Sequence, residues 1–291
     1  MSFITQHFPV FEKDPFLQFR PFPAEPTSLV LKHWHEIFVS FVFYTAIQIA
    51  SGPLSRKYLG TKYTSLSKKT RINFDIHVVS MVQCVISIGM LIPMWNHSHW
   101  ANRSEDPVSS VLGYTPYGGL VAGLTVGYFL WDVVVCLKYF SLFGFGFLFH
   151  GCAALFVFST CFYSYAMPWI PAFLLFELST PFVNINWFAS RLPAGTLSNR
   201  TVAINGIMLL LTFFSVRIVW GFYSATLVAT DMLACWSMAP IVLPVTILLL
   251  NVNLDILNCF WFYKMLLIAK KQIMSKKSPL EVSKEETKKF A

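Results

Sequence analysis

The chain has 291 residues, of which 55% are hydrophobic and 12% charged, and it carries a formal net charge of +8. That balance, with apolar stretches of about 20 residues recurring along the chain, is the signature of membrane-spanning helices and excludes a soluble enzyme. It also argues against a nucleic-acid partner: the basic residues sit at the edges of the apolar stretches and in a short tail, where topology and anionic lipid account for them.

Residues 1–30 contain several prolines and charges and no uninterrupted apolar core, so no cleavable signal is expected and the segment is assigned to the lumenal side. Spans are expected at 31–51, 74–95, 117–140, 143–165, 169–188, 202–229 and 239–269, giving seven transmembrane helices. Residues 31–68 comprise the first helix and a basic cytosolic loop, 69–270 the main domain and 271–291 a basic cytosolic tail. With the N-terminus lumenal, Arg56, Lys57, Lys62, Lys68, Lys69 and Arg71 fall on the cytosolic side together with the C-terminal lysines. Asn96-His97-Ser98 and Asn102-Arg103-Ser104 are glycosylation sequons on the opposite side. Lys288 and Lys289 stand fourth and third from the carboxyl end, the arrangement of a dilysine signal read by coat-type retrieval machinery; it implies an endoplasmic reticulum membrane.

The six cysteines form no C-x-x-C pair and the seven histidines no H-x-x-H-H box. His33, His35, His97 and His99 fall near the lumenal face, but an H-x-H pair on a helix points in different directions. No metal and no cofactor are expected.

The polar residues inside the spans carry the functional signal, because each costs on the order of 2.5–3.5 kcal/mol to insert and must face a protein interior or a wet cavity. In the fifth span Glu177, Thr180 or Pro181, Asn184, Trp187 and Arg191 follow a three-to-four spacing. Pro181 has no N–H, so the carbonyl of Glu177 loses its helical partner and a kink or loosened turn is expected. Asn251, Asp255 and Asn258 make a second stripe in the seventh span. Tyr128 and Asp132 form an i, i+4 pair, His150 lies in the fourth span and His77 in the second. Glu177 and Arg217 lie near mid-membrane, where an ion pair would lower their burial cost.

The run from Glu177 to Asn184, E-L-S-T-P-F-V-N, followed by Trp187-Phe188, resembles the hallmark of TLC-domain proteins. The similarity continues in Gly127 to Asp132, Asn205-Gly206, Phe213 to Ile218 and Asn258 to Met265, and is strongest to the small four-type members of fungi and animals. It implies a barrel of six helices, the second to the seventh, with the first helix peripheral. The wider family includes ceramide synthases, which acylate a sphingoid amine from acyl coenzyme A through a His-His pair. Here the matching position reads His150-Gly151, and glycine can neither transfer a proton nor accept an acyl group. The resemblance therefore implies a protein that binds, senses or moves a membrane lipid in a cavity lined by His77, Tyr128, Asp132, His150, Glu177, Asn184, Arg217, Asn251, Asp255 and Asn258. The alternative is an acyltransferase in which His150 is the single general base, oriented by Asp132 or Asp255, with acyl coenzyme A as co-substrate. A third reading is a structural membrane-shaping homodimer.

Overall fold

The computed structural model describes residues 7–274 together with 281, 284 and 285. The retrieval signal at Lys288 and Lys289 lies outside the described residues. Eight principal helices follow: α1 Leu29–Leu59, α2 Lys68–Leu91, α3 Pro116–Lys138, α4 Phe140–Ser159, α5 Thr180–Arg191, α6 Asn199–Phe213, α7 Trp220–Ala234 and α8 Val242–Met274. No strand occurs among the described residues. The protein is an all-α integral membrane protein, and among the described residues six helical stretches are long and apolar enough to cross a bilayer. Their large exposed side chains, such as Phe38, Phe145 and Ile256, suit a surface that meets lipid.

The expected fifth span is not one helix. Met167–Trp169 is a 3-10 turn, Ile170–Leu174 a short α-helix and Leu175–Ser179 a second 3-10 stretch, and only then does α5 begin. Pro168, Pro171 and Pro181 explain the breaks, since each removes a backbone donor and is tolerated only in a first turn; Pro171 and Pro181 do stand in the first turns of their helices. The loosened turn expected around Pro181 is thus present. A second irregularity joins α6 to α7, where Phe214–Val219 forms a π-helical turn. Such turns insert an extra residue into a helix and cluster at functional positions.

The described residues fall into two compact units. The first takes residues up to 45, 86–175 and 222–254, and the second 46–85, 176–221 and those from 255 onward. In the first, α3 begins at a Thr115 cap whose hydroxyl accepts from Gly118 N at 3.0 Å. It packs along α4 and against the first part of α1. The α1 contact rests on Gly119, Gly123 and Gly127, one per turn: a Cβ at 127 would overlap the Ile37 carbonyl oxygen, one at 119 would overlap the His33 ring, and one at 123 would lie 3.1 Å from Glu36 Oε2. Small residues at this spacing let two membrane helices approach backbone to backbone, and Ser40 Oγ bonds the Leu124 carbonyl across the gap at 2.6 Å. α4 bends at Gly144, whose φ of 69° is open to glycine.

In the second unit α5 packs against α6, and Asn205 Nδ2 donates to the Phe182 carbonyl at 2.9 Å, satisfying a group in the proline-bearing first turn of α5. Tyr63, Phe74 and Leu192 form a small core with Trp187 and Phe188 packed against it. Ser51 Oγ and Tyr63 OH both donate to Asp75 Oδ1, at 2.8 and 3.0 Å. Burial and the neighbouring Asp75 charge push the Tyr63 phenol up to about 12, so it keeps its proton as a donor across the physiological range.

Candidate functional site

The second unit gathers most of the expected polar residues. Asn184, at 1% exposure, is fully engaged: its Oδ1 lies 2.7 Å from His77 Nδ1, and its Nδ2 donates to Ser80 Oγ at 3.1 Å. An amide oxygen can only accept, so Nδ1 carries the imidazole proton and Nε2 is left with a lone pair. The His77 ring is stacked on Trp187, with centroids 4.2 Å apart. One turn of α5 therefore presents Asn184 and Trp187 together to α2, as their spacing predicts. Asn184→Leu is expected to leave the His77 Nδ1–H without its acceptor and Ser80 Oγ without its donor, at a cost of about 1–3 kcal/mol, measurable as a lower unfolding midpoint in detergent; an unchanged midpoint would remove the bridge from the account.

Arg217, buried in the π-helical turn, is the centre of the same unit. Its Nε donates to Ser179 Oγ at 2.9 Å, while Nη1 and Nη2 lie 3.5 Å from Asn258 Oδ1 and Thr180 Oγ1. The guanidinium is flanked by the rings of Phe213 at 5.3 Å and Phe176 at 5.8 Å, apolar neighbours that can still attract a cation. The ion pair expected with Glu177 is not a direct one. Glu177 and Arg217 attract one another, and Glu177 interacts with Thr180, but the guanidinium spends its short contacts on hydroxyl and amide oxygens. The cause is local: the 3-10 stretch Leu175–Ser179 takes Glu177 out of the register it would hold on a continuous helix. Glu177 Oε2 is buried and has no hydrogen-bond partner. Asp255 and Asn258 are buried at 5% and 4%, whereas Val252 and Ile256 are exposed, so this stripe of α8 faces inward as its spacing predicts. The Asp255 carboxylate lies beside Gly221, 3.6 Å from where a Cβ would be, an ordinary packing distance.

Tyr128, Asp132, His150 and Asn251 belong to the first unit. Tyr128 is buried against Tyr44 and Trp131, with ring centroids at 5.1 and 5.7 Å. The His150 ring meets Phe129 edge-on at 6.4 Å. A Cβ at Gly151 would stand 2.7 Å from Asp132 Oδ2. Glycine at 151 thus admits a carboxylate to the backbone of α4, and a side chain there must displace Asp132.

Several partnered polar residues escaped the sequence reading. Asp231 accepts from Arg103 Nε and Nη2 at 3.0 and 2.8 Å and from Ser110 Oγ at 2.7 Å. Asp75, described above, is another. Asp231 stands among apolar residues and could have been found by the same test that singled out Asp132. Glu36, inside the first expected span, was open to that test too; Asp14 and Tyr114 gave no such signal, because they meet it only through tertiary structure.

A TLC domain profile matches residues 73–267. The chain is 38% identical to an uncharacterized TLC domain-containing protein of Schizosaccharomyces pombe over 264 residues, covering 89% of this chain and 87% of the relative. It is 36% identical over 264 residues to Topoisomerase I damage affected protein 4 of Saccharomyces cerevisiae, covering 88% and 91%. It is also 29% identical over 160 residues to human TLC domain-containing protein 4, covering 54% and 58%. No solved structure matches. With the helical architecture, the proline-broken E-L-S-T-P-F-V-N segment and the profile match over most of its length, the chain belongs to the TLC-domain family of membrane proteins.

Proposed function

We propose that this protein is a multi-pass membrane protein of the endoplasmic reticulum that binds a membrane lipid and senses or moves it, contributing to membrane lipid homeostasis. The observation that carries the reading is the polar centre on α5, α6 and α8 of the second unit. Arg217 is buried among two phenylalanine rings and three polar oxygens, and the nearby Glu177 keeps a buried oxygen with no hydrogen-bond partner. A carboxylate oxygen in that state costs stability unless something donates to it. A lipid headgroup bearing a hydroxyl, amide or amine would supply the donor, and acyl chains would lie along the apolar walls. The orientation with a lumenal N-terminus is supported by the basic cytosolic loops and by the exposed sequon residue Asn102.

The test is native mass spectrometry of the purified protein. Wild type is expected to retain a lipid, and Glu177→Gln to bind it roughly ten- to a hundredfold more weakly, the scale of one hydrogen bond to a charged group. Protein that carries no lipid, or a Glu177→Gln variant that retains it unchanged, would sink the assignment. Product formed from acyl coenzyme A, and lost in His150→Ala, would instead favour the acyltransferase.

A further inference from the structure

The segment before α1 folds back on the first unit. Glu12 O accepts from Tyr117 N at 3.3 Å, Phe16 O lies 3.1 Å from His35 Nε2, and Phe22 O accepts from Trp34 Nε1 at 2.7 Å. This return brings Asp14 onto two residues of the first turns of α1. His33 Nδ1 lies 3.5 Å from Asp14 Oδ2 and 2.7 Å from Glu36 Oε2. The potential ligand atoms of the three residues fall within 4.8 Å of one another, and all three residues are buried. The side chains of Asp14 and His33 are 0% exposed and that of Glu36 3%.

Two observations point to an occupant. The first is the orientation of His33: its Nε2 sits 3.0 Å from Tyr114 OH, and the ring lies where only glycine fits at 119. His33 Nδ1 is hydrogen-bonded to Glu36 Oε2, and with Nε2–H donated to the phenol the proton of that bond sits on Glu36; a metal ion that displaces this proton meets the Nδ1 lone pair, with Tyr114 as the outer partner that fixes the tautomer. The second is that Asp14 Oδ2 and Glu36 Oε1 are buried without a hydrogen-bond partner. Two adjacent buried carboxylates repel each other and need a cation or a shared proton.

We propose that Asp14, His33 and Glu36 bind one divalent transition-metal ion, with zinc the best match to one imidazole nitrogen and two carboxylate oxygens. Three protein ligands leave one position for water. Ligands at zinc bond lengths of about 2.0–2.1 Å stand about 3.3 Å apart in a tetrahedron. The Asp14 separation already suits this, and the Glu36 carboxylate must open by about half an ångström, a small side-chain rotation. The ion ties the N-terminal segment to α1, and through Tyr114 and Gly119 to the start of α3, so metal binding stabilises this unit.

The experiment uses the full-length protein with a histidine-free tag, stripped with phenanthroline and dialysed against zinc. One zinc per chain is expected at low micromolar free metal, with a rise in the unfolding midpoint, and cobalt in its place should show visible d–d absorption. Asp14→Asn and Glu36→Gln should each weaken binding at least about tenfold, whereas His97→Ala and His99→Ala should not. Folded wild type that binds no zinc, or zinc held equally by the Asp14 and Glu36 variants, overturns the assignment; the former leaves a proton-sharing pair. If a variant does not fold, the wild-type cobalt spectrum decides, and absence of the bands rejects the site.

Discussion

Arg217→Met is expected to lower stability by about 3–5 kcal/mol, the usual consequence of removing one partner from a buried charged cluster. The variant should be recovered from detergent largely as aggregate, or unfold at a much lower temperature. The reason lies in what the guanidinium leaves behind. Ser179 Oγ, Thr180 Oγ1 and Asn258 Oδ1 lose a donor, and Glu177 loses the positive charge that compensates it. Arg217→Lys should rescue only part of the loss, because an ammonium cannot reproduce the planar fork that reaches three oxygens. Combining Arg217→Met with Glu177→Gln should recover more, since the double variant buries no uncompensated carboxylate. A double-mutant cycle with no coupling would mean that the oxygens around Arg217, and not the charge of Glu177, account for the whole effect.

The second large effect is expected on the glycine face of α3. Gly127→Ala should be the most damaging of the three alanine substitutions, because its methyl group would overlap the Ile37 carbonyl, a backbone atom that cannot rotate away. Gly119→Ala meets the His33 ring, which could turn only by giving up Tyr114 and Glu36. Gly123→Ala meets side-chain atoms of Glu36 at 3.1 and 3.2 Å and should be the mildest. Overpacking of this kind costs about 1–3 kcal/mol, and more where the backbone must shift. Unfolding midpoints in the order 123 above 119 above 127 are the expected result, and a flat series would show that α1 does not seat on this face.

What could be read beforehand follows from how each feature is written in the chain. The long apolar runs of α1, α2, α3 and α8 are unmistakable at bilayer length, and Asp255 and Asn258 are inward because a polar stripe at helical spacing in lipid has nowhere else to go. Asn184 is buried for the same reason. In the fifth span the loosened turn at Pro181 follows from its missing N–H, whereas hydropathy summed over residues 169–188 does not show the further breaks at Pro168 and Pro171. The π-helical turn around Arg217 has no periodic signature at all. Gly119, Gly123 and Gly127 recur once per turn, but the close approach to α1 that they admit is made with residues far along the chain. Glu36 is a carboxylate inside the first span, but Asp14 sits among polar residues ahead of it, so their meeting could not be anticipated from position alone.

The broken stretch from Met167 to Ser179 has a consequence for how the chain is made. A continuous apolar helix can leave the insertion machinery alone, since its own ladder satisfies its peptide groups; a run of single turns interrupted by prolines cannot, because several carbonyls would enter hydrocarbon bare. Such a stretch is expected to enter the bilayer only together with helices that cover its peptide groups. Order of synthesis matters for the helix that follows as well: Asn205, which supplies the donor for the Phe182 carbonyl in the first turn of α5, is synthesised after α5. A nascent chain halted before α6 would hold this region at the membrane surface, accessible to water-soluble reagents that no longer reach it once α6 has been added.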